Sequence, residues 1–314
     1  MPSVRRLAVA STLATLVLVA IGGLVRATKS GLGCGTDWPH CSGNLVPALE
    51  SRAMALEFSH RAAAGTVVLL LGTLAVLAWR QRQRSRAVFL GAASAFGLVV
   101  VQALLGAVVV KLELEATSVV FHLAAAMALL GALVYTAAAS FAAEGRLDGT
   151  ADRDLARQAT WAAACVLVVL MAGSYLSGKD AGLAFGDWPL MGGTILPDLS
   201  IEARALHFAH RLLAGATGIV VVIVAVRAIR RRSRLPLAAS CAVVAVTGYA
   251  VQILIGAANV WTELNSAVVT AHLFLGAIVW TSLAAMIGVT RAAPAQSVAG
   301  RAERPSRAAL EGGR

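Results

Sequence analysis

The sequence predicts an all-α, polytopic membrane protein with eight transmembrane helices, arranged as two tandem four-helix bundles. Two observations support this prediction. Of the 314 residues, 58% are hydrophobic and 14% are charged, and the apolar residues form eight long runs. Runs of this kind indicate spans, because a helix that crosses a bilayer needs roughly 20 apolar residues. The marked residues of the first half also return in the second half at a constant offset of 150 positions, which indicates a tandem duplication.

The repeat keeps one register, without a gap, from Asp37 to Leu123. Its longest element, Glu57 to Gly65, returns as His207 to Gly215. The other matched positions are Asp37-Trp38-Pro39 with Asp187-Trp188-Pro189, Pro47 with Pro197, Gln102 with Gln252, Gly106-Ala107 with Gly256-Ala257, Glu113-Leu114 with Glu263-Leu264, and His122-Leu123 with His272-Leu273. Because each repeat has an even number of spans, we expect both bundles to share one orientation about an axis along the membrane normal.

The apolar segments give the order of the helices. They lie at about 7–25, 57–79, 88–110, 117–139, 158–177, 204–226, 236–258 and 268–289. The first segment follows Arg5-Arg6 and resembles a signal peptide. Its length of about 19 residues and the spans that follow favour a retained helix. The predicted units are therefore an N-terminal bundle (1–143), a polar linker (144–157), a C-terminal bundle (158–290) and a disordered tail (291–314) rich in Ala, Gly, Arg and Pro.

Basic residues predict the orientation. Arginines crowd the short loops at 80–86 and 227–234, which by the positive-inside rule face the cytoplasm. Both termini are then cytoplasmic, and the loops near 26–56, 111–116, 178–203 and 259–267 face outside. The formal charge of +11 thus reflects membrane orientation and does not indicate binding to nucleic acid.

Histidines recur near the predicted outer ends of the spans. His60 and His210 lie about one turn into the second and sixth segments, and His122 and His272 lie one to two turns into the fourth and eighth. Imidazole inside a membrane is costly and usually functional. An interhelical hydrogen bond explains a single histidine, but two repeated pairs on different helices favour axial ligation of a haem iron in each bundle.

Arginines follow two of these histidines. Arg61 and Arg211 either extend to the membrane interface or pair with a haem propionate. The spacing Glu57-x-x-His60 also occurs in di-iron carboxylate bundles, but the second copy has His207 in place of Glu57, and such sites need further glutamates.

Only the first half has a carboxylate at this position, Glu57, which predicts that the two halves have different roles. One half would hold a haem as a fixed cofactor, and the other would perform chemistry beside Glu57. A desolvated glutamate near an iron site can relay protons or stabilise developing positive charge. Alternatively, Glu57 only orients a neighbouring group by hydrogen bonding.

The outer loop of the first half contains Cys34 and Cys41, where a disulfide is permitted. Their spacing matches neither a thioredoxin motif nor a complete zinc site. With Ala184 and Met191 at the positions offset by 150, the second copy needs no bridge, which favours a redox or protective role over a loop staple.

These motifs resemble haem A synthase, of the bacterial type with a cysteine pair. The resemblance spans roughly Leu7 to Thr290 and is carried by Gly22 to Cys34, then Asp37-Trp38-Pro39-x-Cys41 and Glu57-x-x-His60-Arg61. The long first-loop motif is highly specific, whereas the histidine pairs alone are a weak signal. The family implies two bundles with pseudo-twofold symmetry. It also implies oxidation of the C8 methyl group of haem O to a formyl group, by successive hydroxylations, for aa-type terminal oxidases.

The resemblance also implies roles for single residues. His210 and His272 match the ligands of a haem b cofactor, His60 and His122 match the pair at the substrate haem, Glu57 matches the essential acid, and Cys34 and Cys41 match a disulfide pair. His207 has no counterpart in the family pattern and is either a supporting group or an alternative ligand.

The resemblance places the protein in a bacterial plasma membrane, with its haem sites toward the outer face. Its implied partners are the lipid bilayer, a farnesyltransferase that supplies haem O, an unidentified electron donor and an oxidase under assembly. The helices rich in Gly and Ala permit a homo-oligomer but also serve packing within one chain.

Two other functions fit the composition. A dihaem b-type electron-transfer cytochrome would hold two haems and need no Glu57. A haem carrier or exporter would need broken helices along a path, and the spans show no paired Pro or Gly interruptions at mid-depth.

Overall fold

The computed structural model describes residues 1–147 and 151–291. Within them the chain forms eight α-helices and no β-strand. The helices are α1 (Pro2–Ala27), α2 (Arg52–Arg80), α3 (Arg86–Lys111), α4 (Ala116–Ala143), α5 (Arg153–Gly178), α6 (Glu202–Arg230), α7 (Pro236–Trp261) and α8 (Ser266–Arg291). Each is long and apolar enough to cross a membrane, which confirms the predicted all-α fold with eight spans. The predicted disordered tail lies, beyond Arg291, outside the described residues.

Polar caps lengthen several helices beyond their apolar runs. Helix α2 begins at Arg52 because the Ser51 hydroxyl accepts a hydrogen bond from the Met54 amide at 3.1 Å. Helix α5 begins inside the predicted linker, where Asp152 accepts a hydrogen bond from the Leu155 amide at 2.9 Å. Both helices therefore start about five residues before the predicted boundary.

The helices of each half form a closed ring of neighbours. In the first half α1 packs on α2, α2 on α3, α3 on α4 and α4 on α1, and helices α5 to α8 repeat this order. Helices α2 and α4 are thus diagonal to one another, as are α6 and α8. The two rings meet through α1, α4, α5 and α8, around an apolar cluster that includes Val19, Met127 and Ala277.

The helix starts extend the sequence repeat and refine it. Helices α6, α7 and α8 begin 150 positions after α2, α3 and α4, but α5 begins 151 positions after α1. Gly31 lies against Leu114 and Gly182 against Leu264, so the larger offset continues into the outer loop. Thr36 is the residue without a counterpart.

This shift changes one assignment made from the constant offset. The position equivalent to Cys34 is Phe185 rather than Ala184. Phe185 is buried, as Cys34 is. The second half therefore fills the place of one cysteine with an aromatic ring.

Candidate functional site

The four histidines of the two repeated pairs lie on the diagonal helices of the two rings. His60 is on α2 and His122 on α4, and His210 and His272 occupy α6 and α8. Because α2 and α6 start earlier than predicted, His60 and His210 lie more than two turns inside their helices rather than one.

Each imidazole packs against a glycine of a neighbouring helix. A Cβ atom added to Gly22 would lie 3.0 Å from Cε1 of His60, and one added to Gly106 would lie 3.3 Å from Cε1 of His122. The second half repeats the contacts: an added Cβ atom would lie 2.9 Å from Cε1 of His210 at Gly173 and 3.2 Å from Cε1 of His272 at Gly256. A residue larger than glycine at any of these four positions would therefore displace the imidazole that packs on it.

One nitrogen of each ring has no hydrogen-bond partner among the described residues. Within the described residues, Nδ1 of His60, His122, His210 and His272 is buried without a hydrogen-bond partner. Nε2 of His60, His210 and His272 is neither bonded to a described residue nor enclosed, so it reaches accessible space. His207 has the same buried Nδ1 without a partner, so what distinguishes the four histidines is their repeated position on diagonal helices, which fits axial ligands of a haem iron.

A di-iron site fits less well. Among residues 1–147 and 151–291, no group of three or more His, Cys, Asp or Glu side chains is placed to hold a metal ion. Glu57, the carboxylate that suggested such a site, is engaged in other contacts.

Glu57, on α2, lies buried against the loop between α1 and α2 and is 3% exposed. One carboxylate oxygen pairs with the Arg61 guanidinium, and the other accepts a hydrogen bond from the Cys34 amide at 2.7 Å. Arg61 also donates to the carbonyl oxygens of Asp37 at 2.9 Å and His40 at 2.7 Å. The carboxylate and the arginine together hold the loop over the first histidine pair.

The second half has a histidine in the same place. His207, 4% exposed, accepts a hydrogen bond at Nε2 from Nε of Arg211, at 3.1 Å. Arg211 donates to the carbonyl oxygens of Leu190 and Asp187, both at 3.0 Å. The Phe185 ring lies 5.5 Å from the His207 ring and 5.9 Å from the Arg211 guanidinium carbon. His207 thus replaces Glu57 as the partner of the arginine, and this bond occupies its Nε2.

Both arginines therefore clamp a loop. The sequence suggested either extension to the interface or pairing with a propionate, and neither alternative anticipated the bonds of Arg61 and Arg211 to loop carbonyls. The signal was present, because the arginines and the Asp-Trp-Pro stretches that they hold repeat at one offset.

The two outer loops are closed differently. In the first, Cys34 and Cys41 form a disulfide and both are buried. In the second, the exposed Asp187 carboxylate accepts hydrogen bonds from the amides of Gly192 at 2.7 Å and Gly193 at 2.8 Å. These bonds from Gly193 and Gly192 hold the pKa of Asp187 below its ordinary value.

Two glutamines also contact the histidine pairs. Nε2 of Gln102, on α3, lies 3.2 Å from Nε2 of His122. Gln252, the equivalent residue on α7, donates instead to the backbone carbonyl of His272 at 2.8 Å. The sequence marked the glutamines as repeated residues but gave them no role.

Comparison with known proteins gives one family. The family model described as cytochrome oxidase assembly protein matches residues 5–284. A heme A synthase of Geobacillus kaustophilus is 29% identical, with 87% of this chain and 86% of that protein covered. Those of Lysinibacillus sphaericus (27%; 89% and 92% covered) and Halalkalibacterium halodurans (28%; 89% and 95% covered) are similar over the same extent.

Proposed function

The chain belongs to the COX15-CtaA family of cytochrome oxidase assembly proteins, and we propose that it is a haem A synthase. In this proposal the enzyme oxidises the C8 methyl group of haem O to a formyl group by successive hydroxylations, for aa-type terminal oxidases. The observation that carries the proposal is the set of four imidazoles seated on glycines, with a buried carboxylate in only one half. The relatives named heme A synthase agree with it.

The two histidine pairs take different haems. His210 and His272 would hold a haem b cofactor, and His60 and His122 would hold the substrate haem O. When bound, the b-type haem supplies one-electron transfer. The glycines beside each ring restrict its position, and the four imidazoles would hold the haem irons.

Glu57 is the catalytic group of the first half. It lies about one turn before His60 on α2 and accepts a hydrogen bond from the loop between α1 and α2. Hydroxylation of a methyl group requires proton transfer, and the carboxylate of Glu57 would relay protons at the substrate haem. The bonds from Arg61 and the Cys34 amide keep this carboxylate in one orientation while it does so.

Arg61 and Arg211 would pair with haem propionates through the N–H groups that the loop carbonyls leave free. The arginine-rich loops favour an orientation with both termini in the cytoplasm, and the haem sites would then lie toward the outer face of a bacterial plasma membrane. A farnesyltransferase would supply haem O, an electron donor would reduce the cofactor, and the product would pass to an oxidase.

The test is the haem content of membranes that contain this protein and a supply of haem O. Haems are extracted, separated by chromatography and weighed, with Glu57→Ala and the matched His207→Ala in parallel. We expect haem A or its hydroxylated precursor from the wild type and from His207→Ala, and none from Glu57→Ala. Only haem B and unchanged haem O, in a protein that still binds haem, would instead identify a dihaem electron-transfer cytochrome.

A further inference from the structure

The contact between Gln102 and His122 distinguishes one histidine from the other three. The two side-chain nitrogens lie 3.2 Å apart. If the amide donates, it occupies the lone pair of Nε2, and if the amide is turned to accept, Nε2 carries a proton. In either orientation the Nε2 of His122 is engaged, whereas Gln252, the equivalent of Gln102, bonds the backbone carbonyl of His272 and not its ring.

A single methyl group explains why Gln252 does not make the same contact. Gln252 reaches the backbone of His272 across Gly276, where an added Cβ would lie 3.2 Å from its side-chain nitrogen and 2.8 Å from Leu170. The equivalent residue of the first half is Ala126, which is buried. We infer that the methyl group of Ala126 takes up the space that Gln252 uses in the second half, which leaves Gln102 turned toward the imidazole.

We propose that Gln102 is a positioning residue that makes the first haem site exchangeable, while Gln252 leaves the second site permanent. This inference rests on the proposed function, in which both pairs hold haem. To ligate iron, His122 must first give up its bond to Gln102, and one such bond is worth a factor of about five in affinity. An enzyme whose substrate and product are both haems needs one site that releases its haem and one that keeps it.

The test is the rate of haem release from each site. The purified protein is loaded with iron protoporphyrin IX, mixed with excess apomyoglobin and followed by absorption. We expect a fast phase, lost in His122→Ala, and a slow phase, lost in His272→Ala. Gln102→Leu should slow the fast phase about fivefold and leave the slow phase unchanged. The matched Gln252→Leu should change neither phase by more than about twofold.

Ala126→Gly provides a second, independent variant, because it opens the space that Gly276 opens in the other half. It should slow the fast phase with Gln102 still present, and it should have no effect in the background of Gln102→Leu. An unchanged fast phase in both Gln102→Leu and Ala126→Gly would overturn the role of Gln102 alone. If His122→Ala retained both phases, the first pair would not hold haem and the proposed function would fail with it.

Discussion

The two bundles share an arginine that binds loop carbonyl oxygens, but they differ in the group that holds this arginine. Arg61 pairs with a carboxylate, Glu57, which the backbone of Cys34 also contacts. Arg211 is held by an imidazole, His207, which lies against an aromatic ring, Phe185. A charged group and a disulfide in one half thus correspond to a neutral group and a ring in the other.

This difference separates the scaffold from the chemistry. The features common to both halves are the histidines on diagonal helices, the glycines beside them and the arginine bonds to loop carbonyls. These features position a bound group and close the loop above it. In the proposed function, the features of one half only, such as Glu57, are the ones that carry the reaction.

The largest effect should come from exchanging the partners of the two arginines. Glu57→His copies the second half and keeps a partner for Arg61, so the loop remains closed. Loss of the carboxylate should lower haem A formation at least a hundredfold, the usual size of a general acid–base contribution. The matched His207→Glu copies the first half and should retain activity within about threefold, since it leaves a partner for Arg211. Equal losses in both variants, measured on extracted haems, would contradict divided roles.

The glycines beside the rings should give the next largest effect. Gly22→Ala adds a Cβ atom 3.0 Å from the His60 ring, and the overpacking should weaken binding of iron protoporphyrin IX at the first pair about tenfold. The matched control is Gly65→Ala, whose Cβ would meet nothing within 4 Å. Absorption titrations measure both, and similar affinities in the two variants would show that the contact with His60 is unimportant.

The disulfide should matter only to its own loop. Reduction, or replacement of Cys34 and Cys41 by serine, should lower the free energy of opening of the first loop by about 2 kcal/mol, the usual contribution of a short loop. Hydrogen exchange of the loop amides measures this change. The second loop, held by Asp187, is the internal control and should not respond to reductant.

The smallest effect should be the pH response of the second loop. Because the folded pKa of Asp187 is depressed, its contribution is complete above the ordinary value of 3.8 and is lost as the pH falls through the lowered folded value. The protection of the Gly192 and Gly193 amides against hydrogen exchange, measured relative to the intrinsic rate, should then fall in acid. The first loop should show no matching change, and Asp187→Asn should abolish the response.

The fold was predictable because the bilayer sets the length of each apolar run and the duplication repeats it. The helix ends were less predictable, because capping residues such as Ser51 and Asp152 start helices several residues before the hydrophobic segments begin. The constant offset also assigned Ala184 where Phe185 stands, because it could not register the extra Thr36 in a loop.

The residue types of the site were predictable, but their partners were not. The pairing of Glu57 with Arg61 follows from one helical turn on α2, yet the Cys34 amide that completes it comes from a loop. The different positions of Gln102 and Gln252 depend on packing around Ala126 and Gly276, which spacing along the chain does not reveal.

Helix α1 presents adjacent glycines to the two halves of the molecule. Gly22 receives the His60 ring, and a Cβ atom on Gly23 would lie 2.9 Å from Leu273, the residue after His272 in the other bundle. Helix α1 therefore carries a contact from each half on neighbouring residues. A rotation or shift of α1 that changed the contact at Gly22 would also change the contact at Gly23, so the packing of the two halves is coupled through this helix.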